Sequence, residues 1–181
     1  AKRVAMRTQG KPYRYDGKCR AIESAESDRR AAAGDLFVGR VKKPAGGMVY
    51  RDLLHGTIHL RDEDLDDIIL MKSDGQPLYH LAVVCDDIAA GVTHVIRGDD
   101  HLSNTPKQIV IYQALGAVLP TYVHIPLILG ADKKRLSKRE GAEDVLEYRA
   151  AGFLPDAVLN FLALLGWSHP EGKEILAKEE L

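Results

Sequence analysis

The sequence predicts an α/β fold, because helix-like and strand-like segments alternate through the middle of the chain. THVIRG (93–98) is a short β-branched run of the kind that forms strands. NTPKQIVIYQALG (104–116) has helix start and stop signals, and YVHIPLILG (122–130) has the apolar density of a strand buried on both faces. With YHLAVVCDDIAAG (79–91) as a further helix, the order helix, strand, helix, strand predicts half of a doubly wound sheet.

The two helices of this unit differ in how clearly they are marked. The run that starts at Tyr79 is interpreted as a helix because it reaches Gly91 without a turn signal. In the second helix we predict Thr105 as the N-cap, Pro106 at the first helical position and Gln108 as the partner that completes a capping box. Gly116 is the predicted stop.

A smaller, mostly β region precedes this unit. Residues 24–33 are rich in alanine and predict a helix that Gly34 ends. LFVGRV and TIHL alternate apolar and polar residues like strands, and the turn KKPAGG lies between them. After residue 140, AEDVLEYRAAG and PDAVLNFLALLG each predict a helix closed by glycine.

Composition excludes several classes of protein. The chain has 181 residues, a net charge of −1 and a pI near 6.7, so it is not a generally cationic nucleic-acid binder. No apolar run approaches the ~18 residues that a membrane span needs. Two cysteines, Cys19 and Cys85, are too few for a disulfide scaffold and fit a reducing cytoplasm. The acidic run RDEDLDD (61–67) is interpreted as a solvated surface.

A cationic loop follows the second predicted strand. Five of the seven residues from Lys133 to Arg139 are Lys or Arg, and carboxylates that begin the next helix follow. Glycines lie only at the loop's edges, so it is not a P-loop. It is suited to bring ammonium and guanidinium groups to a polyphosphate. The alternative is a solvated basic loop.

A second polar group, RGDD (97–100), follows the first predicted strand directly. Ligands of open α/β sheets bind beyond the carboxyl ends of the strands, which is where both groups fall. Arg97 suits a carboxylate or a phosphate, because guanidinium offers paired donors in a fixed fork. Asp99 and Asp100 suit ribose hydroxyls, a metal or a neighbouring cation. A structural ion pair between Arg97 and one aspartate is the alternative.

These motifs carry a resemblance to a known family. RLSKR (135–139) resembles the second signature of class I aminoacyl-tRNA synthetases, Lys-Met-Ser-Lys-Ser in its generic form. Longer stretches, in order and at the family's spacing, are similar to bacterial glutamyl-tRNA synthetases. These stretches are SDGQPLYHLAVVCDD, GVTHVIRGDDHLSNTPKQIVIYQALG, HIPLILG and GFLPDAVLNFLALLGWS. The resemblance covers Tyr13 to Pro170.

The resemblance implies an arrangement of three parts. Residues 1–74 match part of the inserted α+β acceptor-binding (connective) domain, 75–140 the second half of the Rossmann-type catalytic domain, and 141–181 the start of the helical stem-contact region. The family's His-Ile-Gly-His signature and its anticodon-binding domain have no match here. We therefore expect an internal fragment of a longer enzyme that is inactive by itself.

Site residues follow by alignment with the family motifs. Lys138 matches the second signature Lys and is the candidate catalytic residue, stabilising charge on ATP. Tyr79 and Arg97 match residues that bind glutamate, Arg97 through the substrate's side-chain carboxylate. Val83 stands where some members carry an Asn that contacts glutamate. The implied ATP-binding residues are Asp100, Arg135, Ser137, Lys138 and Arg139.

The implied partners are ATP with Mg²⁺, L-glutamate and tRNA(Glu), for a cytoplasmic monomer without membrane contact. Zinc is not expected, because Cys19 remains from the family's zinc motif but Ala21 replaces its His; Cys19 is interpreted as a partly buried thiol. His80, His101 and His124, near the proposed site, are interpreted as half-buried histidines rather than ligands.

There are three competing hypotheses for the function. The leading one is a fragment of a glutamate–tRNA ligase, which activates glutamate as its adenylate and transfers it to the 3′ end of tRNA. Glutamyl-queuosine tRNA synthetase and glutaminyl-tRNA synthetase are alternatives within the family, and HVIRGDDHLSNTP, LSKR and LNFLALLGWS favour the glutamyl type. The isolated chain acting only as a nucleotide- or RNA-binding module is the alternative of a different class.

Overall fold

The structure is a computed structural model that describes residues 15–128 and 144–181. Within these ranges α-helices and β-strands alternate from Tyr79 to Ile125, as the sequence predicts. In chain order the elements are α1 (Ser24–Ala32), β1 (Gly39–Arg40), β2 (Met48–Asp52), β3 (Gly56–Leu60), β4 (Ile69–Met71), α2 (Tyr79–Ala89), β5 (His94–Gly98), α3 (Thr105–Ala114), β6 (Thr121–Ile125), α4 (Val145–Ala150) and α5 (Pro155–Leu164). Short 3₁₀ helices lie at Asp62–Asp64, Asp99–Asn104 and Lys178–Glu180.

The chain divides into two compact units. The first consists of Ala1–Val95 and His101–Val123, and the second of Ile96–Asp100 and His124–Leu181. The strands β5 and β6 therefore have their amino-terminal residues in the first unit and their carboxyl ends in the second. The three-part domain division that the resemblance implies remains a prediction. No helix in the described ranges has the length and apolar content to cross a membrane.

A four-stranded sheet has the order β3-β2-β6-β5. β2 and β3 form an antiparallel hairpin in register from Met48↔Leu60 to Asp52↔Gly56. β2 also pairs in parallel with β6 at Asp52↔Tyr122, and the Leu53 amide donates to the Tyr122 carbonyl at 3.0 Å. The sheet combined with helices confirms the predicted α/β class.

The turn before the hairpin depends on two adjacent glycines. Gly46 and Gly47 both have positive φ, at 84° and 87°. A Cβ at Gly47 would lie 2.3 Å from the backbone oxygen of Leu60, whereas a Cβ at Gly46 would meet no heavy atom within 4 Å. The backbone of β3 therefore approaches the chain at Gly47 too closely for any side chain.

β1 and β4 form a separate two-stranded antiparallel sheet, and Asp67 lies beside it. Asp67 is 5% exposed. Its Oδ1 accepts hydrogen bonds from Arg20 Nη1 at 2.6 Å and from the Lys43 amide at 2.8 Å. Its backbone carbonyl accepts from Arg40 Nη1 at 2.7 Å. Asp67 therefore ties three separate segments of the first unit together.

The interpretation of 61–67 as a solvated surface is wrong at Asp67, because partners from elsewhere in the chain neutralise its charge and allow burial. The interpretation fits the 3₁₀ helix Asp62–Asp64, whose residues are exposed. There Lys43 Nζ donates to Asp62 Oδ2 at 2.6 Å, and this hydrogen bond lowers the pKa of the Asp62 carboxyl.

The core of the first unit joins α2 and α3 to the sheet. Val84 on α2 and Ile109 and Ile111 on α3 are at most 2% exposed. Burying a side chain of this size contributes about 1.5–3 kcal/mol. The other buried hydrophobic residues of this core are Val41, Met48, Leu65, Val110, Tyr112 and Tyr122.

The predicted start of α3 is wrong at the N-cap and at the capping box. The N-cap is Asn104 rather than Thr105, no side chain caps the helix, and Pro106 lies in its first turn. The preceding 3₁₀ helix leads directly into α3, so Asn104 is already helical at φ −87° and ψ −27°. A capping box needs an extended N-cap residue, so Gln108 completes none and is instead buried.

The second unit contains α4 and α5. The Asp144 side chain caps α4 by accepting from the Leu146 amide at 3.1 Å, in agreement with the predicted acidic helix start. Asn160 on α5 donates to the Glu174 carbonyl at 2.8 Å and accepts from the Leu176 amide at 2.9 Å. These bonds hold the carboxyl-terminal segment against α5.

β6 is shorter than the predicted strand over 122–130. It ends at Ile125, and residues 126–128 are not in a strand. Pro126 has no amide hydrogen to donate to a neighbouring strand, which gives a physical reason for the early end.

Candidate active site

The carboxyl end of β5 carries the predicted substrate-binding arginine. Arg97 is the last residue but one of β5 and is half-buried. Its Nε donates a hydrogen bond to Nε2 of His124 on β6, at 3.0 Å. His124 is 0% exposed. The pair lies within the second unit, at the strand end where ligands of α/β sheets bind.

His124 is fully buried, whereas the sequence predicts a half-buried histidine without a ligand role, so the predicted half-burial is wrong. Along β6 burial alternates, with Tyr122 and His124 buried and Val123 and Ile125 more exposed. Residues two apart on a strand share a face, but the more apolar Val123 and Ile125 would be expected on the buried face, so the sequence carries no signal for the burial of His124.

Asp100 is the second residue after β5 and lies in the first turn of the 3₁₀ helix Asp99–Asn104. Its side chain folds back towards Gly98. A Cβ at Gly98 would lie 2.7 Å from Asp100 Oδ1 and 3.4 Å from Leu127 Cδ2. Glycine at this position therefore makes room for the carboxylate at the strand end.

Arg97 and Asp100 both lie at the carboxyl end of β5, three positions apart in the chain. A half-buried guanidinium group is suited to a carboxylate or phosphate, and an exposed carboxylate accepts hydrogen bonds from ribose hydroxyls or amines. The site can thus present both a cation and an anion to one ligand.

Tyr79 is the first residue of α2 and belongs to the first unit. It is 53% exposed, and its ring meets the ring of His80 edge-on, with centroids 5.2 Å apart. Val83, one turn further along α2, is half-buried. A common glutamate pocket for Tyr79 and Arg97 remains a prediction.

The predicted phosphate-binding loop lies outside the described residues. This applies to Arg135, Ser137, Lys138 and Arg139, whose roles therefore remain predictions. In the described part of the chain, no group of three or more His, Cys, Asp or Glu side chains is arranged to hold a metal ion. Cys19 is exposed rather than partly buried, and its amide donates to the Tyr15 hydroxyl at 2.8 Å.

Comparison with known families identifies the class. The family model of class I tRNA synthetases (E and Q), catalytic domain, matches residues 1–181. The chain therefore belongs to the class I tRNA synthetases of this group, and its sequence aligns with their catalytic domain.

Particular relatives narrow the likeness to the glutamate enzymes. The chain is 51% identical to glutamate–tRNA ligase 1 of Acidithiobacillus ferrooxidans over 182 residues, and 53% identical to glutamate–tRNA ligase of Nitratidesulfovibrio vulgaris over 180 residues. These alignments cover 99–100% of the chain but only 37–38% of the relatives.

The similar solved structures are also glutamate enzymes. Glutamate–tRNA synthetase from Elizabethkingia anophelis superimposes with a TM-score of 0.75 at 30% identity, over 98% of this chain and 41% of that one. A glutamate–tRNA ligase from Elizabethkingia meningosepticum, solved in complex with its amino acid, gives a TM-score of 0.74 at 30% identity. It covers the same shares of the two chains. These likenesses confirm the expected fold, a mixed α/β catalytic region of class I.

Proposed function

We propose that this chain is part of a glutamate–tRNA ligase. The observation that carries the proposal is the position of Arg97, a half-buried guanidinium group at the carboxyl end of β5, in a chain matched over its whole length by glutamate enzymes. The proposed partners are ATP, L-glutamate and tRNA(Glu), for a monomeric cytoplasmic enzyme.

The proposed reaction has two steps. In the first, an oxygen of the α-carboxylate of glutamate attacks the α-phosphorus of ATP. The bond from that phosphorus to the oxygen bridging to the β-phosphate breaks, and pyrophosphate leaves. In the second, a ribose hydroxyl at the 3′ end of tRNA attacks the activated carbonyl and loses its proton, and AMP leaves.

Arg97 is the proposed receptor for the side-chain carboxylate of glutamate, because a fork of N–H donors matches the two carboxylate oxygens. Tyr79 is proposed to line the same pocket. Binding the side chain away from the reacting carboxylate holds the α-carboxylate in position for attack and selects an acidic substrate.

On the ATP side, Asp100 is proposed to bind the nucleotide through its carboxylate, which lies at the end of β5. Lys138 is proposed to stabilise the charge that develops on the phosphates, with Arg135, Ser137 and Arg139 as further contacts. Mg²⁺ bound to ATP would neutralise phosphate charge. Such an ion is held largely by phosphate oxygens and water, so it does not require a dedicated cluster of protein ligands.

Glutamate-dependent ATP–pyrophosphate exchange by the full-length enzyme tests the proposal. Arg97→Gln should weaken the use of glutamate by about 2–5 kcal/mol, the cost of losing one partner of a charge pair that is desolvated on binding, and should affect ATP much less. Arg61→Gln is a matched control, because Arg61 makes only exposed ion pairs among the contacts described. Equal losses for glutamate and ATP in Arg97→Gln would mean that Arg97 is a structural residue.

Three further measurements test the proposal and its alternatives. Lys138→Ala should depress exchange without loss of fold, and an unchanged rate would remove Lys138 from the mechanism. Exchange that depends on glutamine instead of glutamate would contradict the glutamyl assignment. The 181 residues alone should show no exchange, because the family's other signature is not among them.

A further inference from the structure

We propose that His124 is the positioning residue of the amino-acid site, holding the guanidinium group of Arg97 in a fixed plane before the substrate arrives. This inference rests on the proposed function, in which Arg97 receives the carboxylate of glutamate. It assigns a role to a buried side chain that the proposed reaction does not itself require.

The hydrogen bond determines the state of the imidazole ring. An arginine guanidinium group stays protonated and can only donate hydrogen bonds. Because Arg97 Nε lies 3.0 Å from His124 Nε2, that ring nitrogen must carry a lone pair. The ring is therefore neutral, with its proton on Nδ1. The buried neutral imidazole thus serves as the acceptor for Arg97 Nε.

The bond also constrains the guanidinium group. Nε lies at the base of the planar fork, so fixing its N–H direction fixes the plane in which the two Nη groups lie. His124 is itself held rigidly, because it is fully buried on β6 and side chains in a packed core occupy single rotamers. A long, flexible side chain is thereby ordered in advance, so less conformational freedom is lost when a carboxylate binds.

Substitutions at position 124 separate this role from a purely structural one. His124→Gln places an amide oxygen near the position of Nε2 and so retains an acceptor. His124→Leu keeps apolar volume without an acceptor. His124→Asn carries an acceptor too close to the backbone to reach Arg97, and it provides a polar control of small size.

The test measures glutamate and ATP parameters in the full-length enzyme. His124→Leu and His124→Asn should raise the KM for glutamate about tenfold to a hundredfold, the range expected from losing a hydrogen bond to a charged group. The KM for ATP should stay near the wild-type value, and His124→Gln should restore glutamate use. Equilibrium binding of glutamate, measured by calorimetry without ATP, should follow the same order. Equal values for the Gln and Leu variants would overturn the proposal.

A measurement without substrate separates failure of this inference from failure of the proposed function. In the wild-type protein, NMR should detect a scalar coupling between Arg97 Nε and His124 Nε2 across the hydrogen bond. Its absence would overturn the inference even if the variants fail to fold. Presence of the coupling in a protein that does not bind glutamate would instead contradict the proposed function.

Discussion

The carboxylate of Asp100 occupies space that a side chain at Gly98 would need, since a Cβ there would stand 2.7 Å from Oδ1. Gly98→Ala should therefore push the carboxylate away from the end of β5. Because the clashing atom is the end of a flexible side chain, the cost in stability should stay below about 1 kcal/mol. If Asp100 binds the nucleotide, the KM for ATP should rise by roughly tenfold, equivalent to about 1.4 kcal/mol.

Gly166→Ala is the control for this change. A Cβ at Gly166 would meet nothing within 4 Å, and its φ is not positive. This variant should leave the KM for ATP unchanged. A Gly98→Ala enzyme with normal ATP kinetics would show that the position of the Asp100 carboxylate does not matter for nucleotide binding.

The adjacent glycines at 46 and 47 offer a test of hairpin packing. Each substitution by alanine places a side chain at positive φ, which costs about 1–2 kcal/mol. Gly47→Ala should cost about 1–3 kcal/mol more than Gly46→Ala, because its Cβ collides with the backbone of β3 at Leu60. Hydrogen exchange of the β2 and β3 amides measures the difference, and equal exchange in the two variants would contradict the close approach.

Asp67 should stabilise its surroundings measurably. Asp67→Ala removes the acceptor of the Lys43 amide and the partner of Arg20. Leaving such donors unpaired costs about 1–3 kcal/mol, so the Lys43 amide should exchange about tenfold to a hundredfold faster. Glu26→Ala is the control, because it breaks ion pairs with the exposed Arg29 and Arg30 on α1, away from Asp67. It should leave exchange at Lys43 unchanged, and equal effects of the two variants would refute the special role of Asp67.

Ionisation of Tyr112 should destabilise the protein at alkaline pH. Burial, and secondly the negative charge of Asp87, raise the pKa of the Tyr112 phenol above its ordinary value of 10.0. The folded state thus favours the neutral phenol. The resulting contribution to the free energy of unfolding is fully present below pH 10 and is lost as the pH rises through the pKa of Tyr112 in the folded state. Tyr112→Phe should abolish this loss.

Ultraviolet difference titration of wild-type protein against Tyr112→Phe checks the shift. Asp87→Asn should lower the pKa only part of the way, because burial is the larger cause. A Tyr112 that titrates at its ordinary pKa in wild type would contradict the assignment.

Local signals in the sequence were sufficient for the order of helices and strands from Tyr79 to Ile125, whereas β2 and β4 in the preceding region were not predicted. α2 was identified by its length and by Gly91, and the strand signal at 93–98 corresponds to β5. Errors arose where a distant segment decides the outcome. Burial of Asp67 depends on Arg20, far away in sequence, and the N-cap of α3 depends on the 3₁₀ helix before it.

In the candidate site, too, one feature follows from local sequence and another depends on a distant segment. The position of Arg97 at a strand end follows from the local pattern, because polar residues follow an apolar run directly. Its bond to His124 does not, because the two residues lie on different strands and meet only when the sheet is in place. Nothing in a single sequence states which face of one strand meets which face of the other.

Because β2 pairs with the distant β6 at Asp52 and Tyr122, the sheet must form in two steps as the chain leaves the ribosome. β2 and β3 can close their hairpin as soon as both have emerged, because their contacts are local. The β2 edge that receives β6 must wait while some seventy further residues are made, roughly 4–14 seconds at about 5–20 residues per second. During that interval β2 presents an open edge to other chains. The edge of β2 therefore needs protection while the chain is being made. This need cannot be seen in the completed sheet, where β6 covers the edge.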